Sequence, residues 1–144
     1  MSFKPEIQKT ADNYQSRSER FKKWAETDSG NLSASEKARE VFMMAVRESK
    51  LDALPIVDAG CGSGRDMLEF ARNLDNKVLG FDVCENFVGH CHARNLSVTL
   101  DDFESFFAKQ EDCSFAGVFC LASIFHVPRP DLRVKFHRKR LLKL

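Results

Sequence analysis

The chain has 144 residues, of which 43% are apolar, and its net charge at pH 7 is +1. This length and apolar content predict a single soluble globular domain and exclude a disordered chain. No run of about 18 uncharged apolar residues occurs, and no apolar signal-peptide core follows the N-terminus, so we expect a cytosolic protein without membrane spans.

The N-terminal third is predicted to be helical. Residues 6–24 carry a sparse apolar stripe with Tyr14, Phe21 and Trp24, which is typical of a helix that caps a larger body. The polar residues 26–31 predict a loop, because they combine turn formers with a glycine. A second helix is expected from an N-cap at Ser33 or Ser35 to Lys50.

After residue 50, short apolar segments alternate with helical patterns. The predicted strands are residues 54–59, 78–83, 96–100 and 115–123, and the predicted helices are 67–74 and 85–94 with a helical turn at 103–107. This alternation predicts βαβ units and therefore an α/β fold with a parallel sheet.

The five cysteines are predicted to be reduced thiols, because their number is odd and no Cys-x-x-Cys pair occurs. Cys91 stands between His90 and His92, which superficially resembles a metal motif. Neighbouring residues of one helix point about 100° apart, so we predict no metal site there.

The first predicted strand runs into alternate glycines, Gly60, Gly62 and Gly64, and then into a helix. A strand, a glycine turn and a helix let a nucleoside-like ligand approach bare backbone. Arg65 stands where the dinucleotide fingerprint would place its third glycine, which makes a pyrophosphate ligand less favoured.

Further polar or turn-forming residues follow the other predicted strands. Asp82 follows the second strand and could accept hydrogen bonds from ribose hydroxyls. Asp102 and Phe103 follow the third strand, where a carboxylate and a ring could contact a base. Residues 121–123 end the fourth strand and offer backbone carbonyls to an ammonium group. Ligands of open α/β sheets bind at such strand ends.

Four segments resemble the class I S-adenosylmethionine-dependent methyltransferases, in particular small bacterial-type members: VDAGCGSGRD, GFDV, DF and ASIFHVP. The resemblance covers residues 54–144 and, more weakly, the pair Tyr14 and Phe21. It implies a Rossmann-like, doubly wound, mostly parallel sheet whose first four strands have the order 3-2-1-4. The whole chain would form one cofactor-binding domain, with residues 1–50 as a helical cap and 51–144 as the cofactor-binding half.

The resemblance also implies residue roles. Asp58 and the glycine turn would approach the methionine part of S-adenosylmethionine, Asp82 would hold the ribose, and Asp102 with Phe103 would recognise the adenine. Tyr14 would help to close the site. The full predicted cofactor set is Tyr14, Asp58, Gly60, Cys61, Gly62, Gly64, Arg65, Asp82, Val83, Asp102, Phe103, Leu121 and Ala122.

A methyl group on a sulfonium is already activated, so the protein mainly aligns the acceptor. His126 is the candidate catalytic residue, as a base or an orienting group, and a structural histidine is the alternative. We expect a small-molecule acceptor. Two other functions stay open: a non-catalytic, C-terminally truncated module that only binds the cofactor, and an NAD-dependent dehydrogenase, which leaves Arg65 unexplained.

The family continues with further strands beyond the last residues of this chain, so the fourth strand is expected at an open edge. Such an edge invites pairing with a protein partner or a second copy. Residues 133–143 are basic, and we favour a solvated helix face there over a nucleic-acid contact.

Overall fold

The computed structural model describes residues 2–27 and 29–127, with side chains described for 2–26 and from residue 34 onward. Two long helices come first, α1 (Pro5–Thr27) and α2 (Ser29–Ser49). The remaining helices are α3 (Arg65–Asn73), α4 (Glu85–Ala93) and α5 (Phe103–Ala108), with a 3-10 turn, η1, at Ile124–His126. No helix in this part of the chain is long and apolar enough to cross a bilayer.

The four strands are β1 (Ile56–Ala59), β2 (Val78–Asp82), β3 (Ser97–Leu100) and β4 (Gly117–Phe119). They form one parallel sheet in the order β3-β2-β1-β4, which confirms the predicted α/β Rossmann-like order. β1 is buried at every position, as expected for a central strand that is covered on both faces. Among the described residues, β4 pairs only with β1.

Helices cover the two faces of the sheet unequally. On one face, Phe70 of α3 and Val46 of α2 pack against Ile56 of β1. On the other face, Phe106 of α5 stacks on Phe81 of β2 at a ring-centroid distance of 4.4 Å. α1 lies over the carboxyl ends of the strands and contacts α4, and the early part of α2 reaches the same pocket through Ala34 and Ser35.

Two predicted boundaries are wrong. The loop over residues 26–31 and the helix start at Ser33 or Ser35 are not found, because α1 continues to Thr27 and α2 begins at Ser29. Turn propensities are a weak preference that the surrounding structure overrides.

The fourth strand is shorter than the predicted 115–123, since β4 ends at Phe119. Its continuation bends at Ala122, whose φ of +57° is incompatible with an extended strand. Ser123 then turns back, and its hydroxyl donates to Ala59 O at 2.6 Å. The predicted basic helix at 133–143 lies outside the described residues.

Candidate active site

A pocket of about 570 Å³ lies at the carboxyl ends of the strands. Its floor comes from the ends of β1, β2 and β3: Gly60, Cys61, Gly62, Ser63, Asp82, Val83, Asp101, Asp102 and Phe103. Its roof is one side of α1: Ile7, Thr10, Tyr14, Phe21, Trp24 and Ala25. A side wall follows β4: Leu121, Ala122, Ser123, Phe125, His126 and Val127.

The glycine turn of the floor has a backbone that other residues rarely adopt. Gly60, Gly62 and Gly64 have φ values of +71°, +53° and +82°. The N–H groups of Gly60 and Cys61 both donate to Phe81 O at 3.0 Å, which fixes the turn against β2. A Cβ added at Gly62 would meet nothing within 4 Å, so open space lies beside this backbone.

Asp82 links the turn to the start of α4. Its Oδ2 accepts the Gly62 N–H at 2.9 Å, and its Oδ1 accepts the Cys84 N–H at 3.0 Å. Burial raises the pKa of Asp82, although the backbone N–H donors of Cys84, Gly62 and Val83 oppose that shift. The carboxylate is therefore fixed by the backbone on the pocket floor.

Asp58 lies in β1, outside the residues that line the pocket. It is buried, and its Oδ2 is the buried side-chain oxygen for which no hydrogen-bond partner is found within the described chain. Burial, and then the charges of Asp66 and Asp82, raise its pKa well above the ordinary value. Such an unpartnered polar atom is costly unless a ligand or water satisfies it.

Two consecutive carboxylates follow β3. Asp102 caps α5, because its Oδ1 accepts the Ser105 N–H at 2.8 Å and its Oδ2 accepts the Ser105 hydroxyl at 3.2 Å. Asp101 accepts a hydrogen bond from Lys109 Nζ at 2.7 Å. Phe103 packs edge-on against Phe81, with ring centroids 5.1 Å apart.

A hydrogen bond joins the roof to the side wall, between Tyr14 Oη and His126 Nε2 at 2.8 Å. Burial, with a smaller contribution from Asp82, raises the pKa of Tyr14, and burial lowers the pKa of His126. Both shifts favour the neutral forms. When the neutral imidazole carries its proton on Nδ1, the Tyr14 hydroxyl donates to Nε2, and the other tautomer reverses these roles.

Side-chain hydrogen bonds hold the roof helix α1 to two helix starts below it. Gln15 Oε1 accepts the Asn86 N–H at 3.1 Å and the Cys84 thiol at 3.2 Å. Arg65, at the start of α3, donates to Ala25 O at 3.0 Å. The α4 start has no cap from its own N-cap side chain, so Gln15 supplies an acceptor from another helix.

The pocket brings together every predicted cofactor residue and His126, with the exception of Asp58 and Gly64. His90 and His92 do not converge on it: His92 Nε2 bonds Val98 O at 2.7 Å, while the Cys91 thiol donates to Gly62 O at 3.4 Å. No group of three metal-ligating side chains is found among the described residues.

Several lining residues were not predicted, including Ile7, Thr10, Trp24, Asp101 and Phe125. A signal existed for the roof. Ile7, Thr10, Tyr14, Phe21 and Trp24 recur at spacings of three, four or seven residues, which places them along one side of a helix. Phe125 had no such signal, because it lies in the three-residue 3-10 turn η1, which is too short to show a repeated spacing.

A family model described as a methyltransferase domain matches residues 56–143, which is more than half of the chain. The chain belongs to the class I S-adenosylmethionine-dependent methyltransferases. A solved structure with a similar fold is magnesium protoporphyrin IX methyltransferase from Synechocystis PCC 6803, with bound S-adenosylmethionine. Its TM-score is 0.57 at 18% identity, over 89% of this chain and 67% of that one, so it supports the fold. No curated protein sequence matches the chain.

The cofactor of this methyltransferase is S-adenosylmethionine, and the residues present fit it. The glycine turn leaves backbone open to the pocket, Asp82 offers a fixed carboxylate, and Asp58 keeps an unsatisfied buried oxygen beside the turn. Hydroxyl and ammonium groups of the cofactor are the donors that such acceptors require.

Proposed function

We propose that this methyltransferase transfers a methyl group to a small-molecule acceptor that binds beside Tyr14 and His126. The proposal depends on one observation: the strand-end carboxylates and the Tyr14–His126 hydrogen bond line the same pocket. A cofactor on the floor and an acceptor under the roof would therefore be neighbours, and proximity is the main requirement of methyl transfer.

We assign the floor to the cofactor. Asp82 would accept hydrogen bonds from the ribose, Phe103 would cover the adenine, and Asp102 would accept from its amino group through lone pairs that Ser105 does not use. The carbonyls of Leu121 and Ala122 and the carboxylate of Asp58 would face the amino-acid part. When bound, S-adenosylmethionine supplies a methyl group that its sulfonium has already activated.

Arg65 has a different role in this proposal from direct cofactor contact. Its guanidinium already donates to Ala25 O, and its Nε lies 3.2 Å from Asp66 Oδ1. These contacts connect the glycine-turn side of the pocket to α1. Arg65 would therefore hold the roof in place over the cofactor.

Tyr14 and His126 are the groups that would act on the acceptor. A neutral imidazole with its proton on Nδ1 can take a proton at Nε2, which is hydrogen-bonded to Tyr14 Oη, and both side chains line the pocket. A proton lost by an acceptor O–H or N–H group would reach Tyr14 Oη while the Tyr14 proton moves to His126. His126 would thus serve as a base that works through Tyr14.

The upper part of the pocket favours an apolar acceptor. Trp24 and Phe125 both line it, and they remain 49% and 68% exposed. Exposed aromatic side chains around a cavity are typical of a ligand-binding surface. The similar structure is named for a small molecule, magnesium protoporphyrin IX, which supports a small-molecule acceptor as the proposal here.

Calorimetry with S-adenosylhomocysteine tests the cofactor assignment. Wild type should bind, Asp82→Ala should bind at least about 100-fold more weakly because a fixed carboxylate acceptor is lost, and exposed Asp75→Ala should match wild type. Unchanged binding by a folded Asp82→Ala protein would contradict the assignment.

Release of S-adenosylhomocysteine across a panel of phenols, amines and thiols tests the transfer. Tyr14→Phe and His126→Gln should lower kcat by about 10²-fold or more, while cofactor affinity changes little. Cofactor binding without transfer to any panel member would favour the alternative of a non-catalytic cofactor-binding module. The expected cytosolic location and partner pairing along β4 stay predictions.

A further inference from the structure

Two buried thiols meet beneath the glycine turn. Cys61 belongs to the turn and Cys91 to α4, and both side chains pack in the same core cluster. Both sulfur atoms also contact Gly62 O, at 3.8 Å for Cys61 and 3.4 Å for Cys91. The proposed methyl transfer uses neither thiol, so their pairing needs another explanation.

The two thiols differ in how firmly they hold a proton. Hydrogen bonding to Cys91, followed by burial, raises the pKa of Cys61 well above its ordinary value. The same bond lowers the pKa of Cys91. Cys61 therefore keeps its proton, and Cys91 is the better nucleophile of the pair.

The two thiols also differ in accessibility, and in this respect Cys61 is the one that an oxidant would reach. Both thiols pack in one core cluster with Met67 and Val98, but Cys61 is 9% exposed and lines the pocket, whereas Cys91 has no exposed surface. A small oxidant that enters the pocket would therefore reach Cys61 first. Because Cys61 is a protonated thiol, we expect its oxidation to be slow and to require millimolar peroxide.

We propose that Cys61 and Cys91 form a redox site in which hydrogen peroxide closes a disulfide under the glycine turn and weakens cofactor binding. Peroxide converts the Cys61 thiol to a sulfenic acid and releases one water. The Cys91 sulfur then attacks the Cys61 sulfur, the S–O bond breaks, and the oxygen leaves as a second water. Two thiols are oxidised and one peroxide is reduced to two waters.

The disulfide would change the turn because its sulfur atoms must approach to about 2.05 Å, whereas each now contacts Gly62 O at 3.8 and 3.4 Å. Cys61 is part of the turn, so closing this bond would shift the turn. The Gly62 N–H, which donates to Asp82 Oδ2 at 2.9 Å, lies directly beside Cys61. Its displacement would remove a hydrogen bond that fixes the ribose-binding carboxylate.

The coupling should also act in reverse, since linkage between two sites is reciprocal. A cofactor on the floor covers the turn and favours its open, reduced geometry. Saturating S-adenosylhomocysteine should therefore slow disulfide formation.

The test treats the full chain with millimolar hydrogen peroxide, with and without S-adenosylhomocysteine. Peptide mapping without reductant should find Cys61 linked to Cys91, with a mass lower by two hydrogen atoms. Calorimetry should show at least about a tenfold loss of S-adenosylhomocysteine affinity that dithiothreitol restores. Cys91→Ser should keep its affinity after peroxide, and exposed Cys113→Ser should lose it as wild type does.

A folded protein without the linked peptide would overturn the redox site, and a linked protein with unchanged affinity would overturn its effect on binding. Cys91→Ala serves as a second variant if Cys91→Ser does not fold. The effect on binding rests on the proposed cofactor site. If untreated wild type does not bind S-adenosylhomocysteine, that assignment fails, while the peptide map still decides whether the disulfide forms.

Discussion

The floor and the roof of the pocket are stabilised in different ways. The floor consists of the ends of parallel strands, and its turn is fixed by backbone bonds from Gly60 and Cys61 to Phe81 O. The roof is one helix that is attached through side-chain hydrogen bonds. Gln15 and Tyr14 bond outward from the helix, and Arg65 bonds to Ala25 O of the helix. A floor built from backbone is rigid, whereas a roof held by side chains can open for ligands at low cost.

The floor and the roof therefore constrain the sequence to different degrees. The floor requires particular residues at particular backbone angles, because positive φ values and close approaches admit few side chains. The roof requires a helix with suitable side chains at helical spacing, which many sequences satisfy. Substitutions in the floor should therefore cost more stability than substitutions in the roof.

The largest expected effect is at Gly60. An alanine there would adopt a φ of +71°, and its Cβ would overlap Ser123 Cβ and lie 2.7 Å from Ser123 Oγ. Left-handed backbone and overpacking together should lower the free energy of unfolding by about 2–5 kcal/mol. Urea denaturation of Gly60→Ala measures this change, and cofactor affinity should fall with it.

Gly89→Ala is the matched control for Gly60→Ala. Gly89 lies inside α4, and a Cβ there would meet nothing within 4 Å. Alanine is the better helix former by about 1 kcal/mol, so this variant should be more stable than wild type. If both variants lose stability equally, the steric explanation of the Gly60 turn is wrong.

Sequence could predict the floor because its constraints are local. The glycine run, the position of Asp82 and the alternation of strands and helices were each visible in a few neighbouring residues, and the strand order followed from the family resemblance. The predicted cofactor set also included Asp58 and Gly64, which do not line the pocket, because burial beneath a turn depends on what packs over it.

The roof and side wall were less predictable, because their structure depends on distant contacts. Turn formers in residues 26–31 predicted a loop, yet α1 extends to Thr27 and α2 begins at Ser29. The end of β4 depends on the left-handed Ala122 and on the Ser123 bond to Ala59 O, which joins residues far apart in sequence. Neither feature leaves a local pattern.

A smaller effect is expected at Gln15, which joins the roof to the start of α4. Gln15→Ala removes the acceptor for the Asn86 N–H and the Cys84 thiol. Loss of a helix-start acceptor should lower the free energy of unfolding by about 1 kcal/mol. Cofactor affinity should fall by only about 3-fold, because the floor stays intact.

Gln8→Ala is the control, since Gln8 lies on the same helix and its side chain donates to Asp12 of that helix at 2.8 Å. It carries the same change in helix propensity without a contact to α4. Equal thermal shifts for the two variants would show that the roof is not held through Gln15. Calorimetry with S-adenosylhomocysteine separates this loss from damage to the floor.

The smallest expected effect is the pH dependence of the roof contact at His126. Burial lowers the pKa of His126 in the folded chain from the ordinary value of 6.5. As pH falls below 6.5, the unfolded chain therefore takes up the proton on His126 before the folded chain does. The folded chain loses stability as pH falls from 6.5 to the lower pKa of folded His126. Asp58 and Asp82 in the floor have raised pKa values, so their contribution to stability increases as pH falls from the raised pKa to 3.8, which is the opposite direction.

His126→Gln keeps a side chain that can bond Tyr14 but removes the titration. As pH falls from about 7.5 to about 5.5, its Tm relative to wild type should therefore rise, and a constant difference would contradict a neutral, half-buried histidine in the side wall.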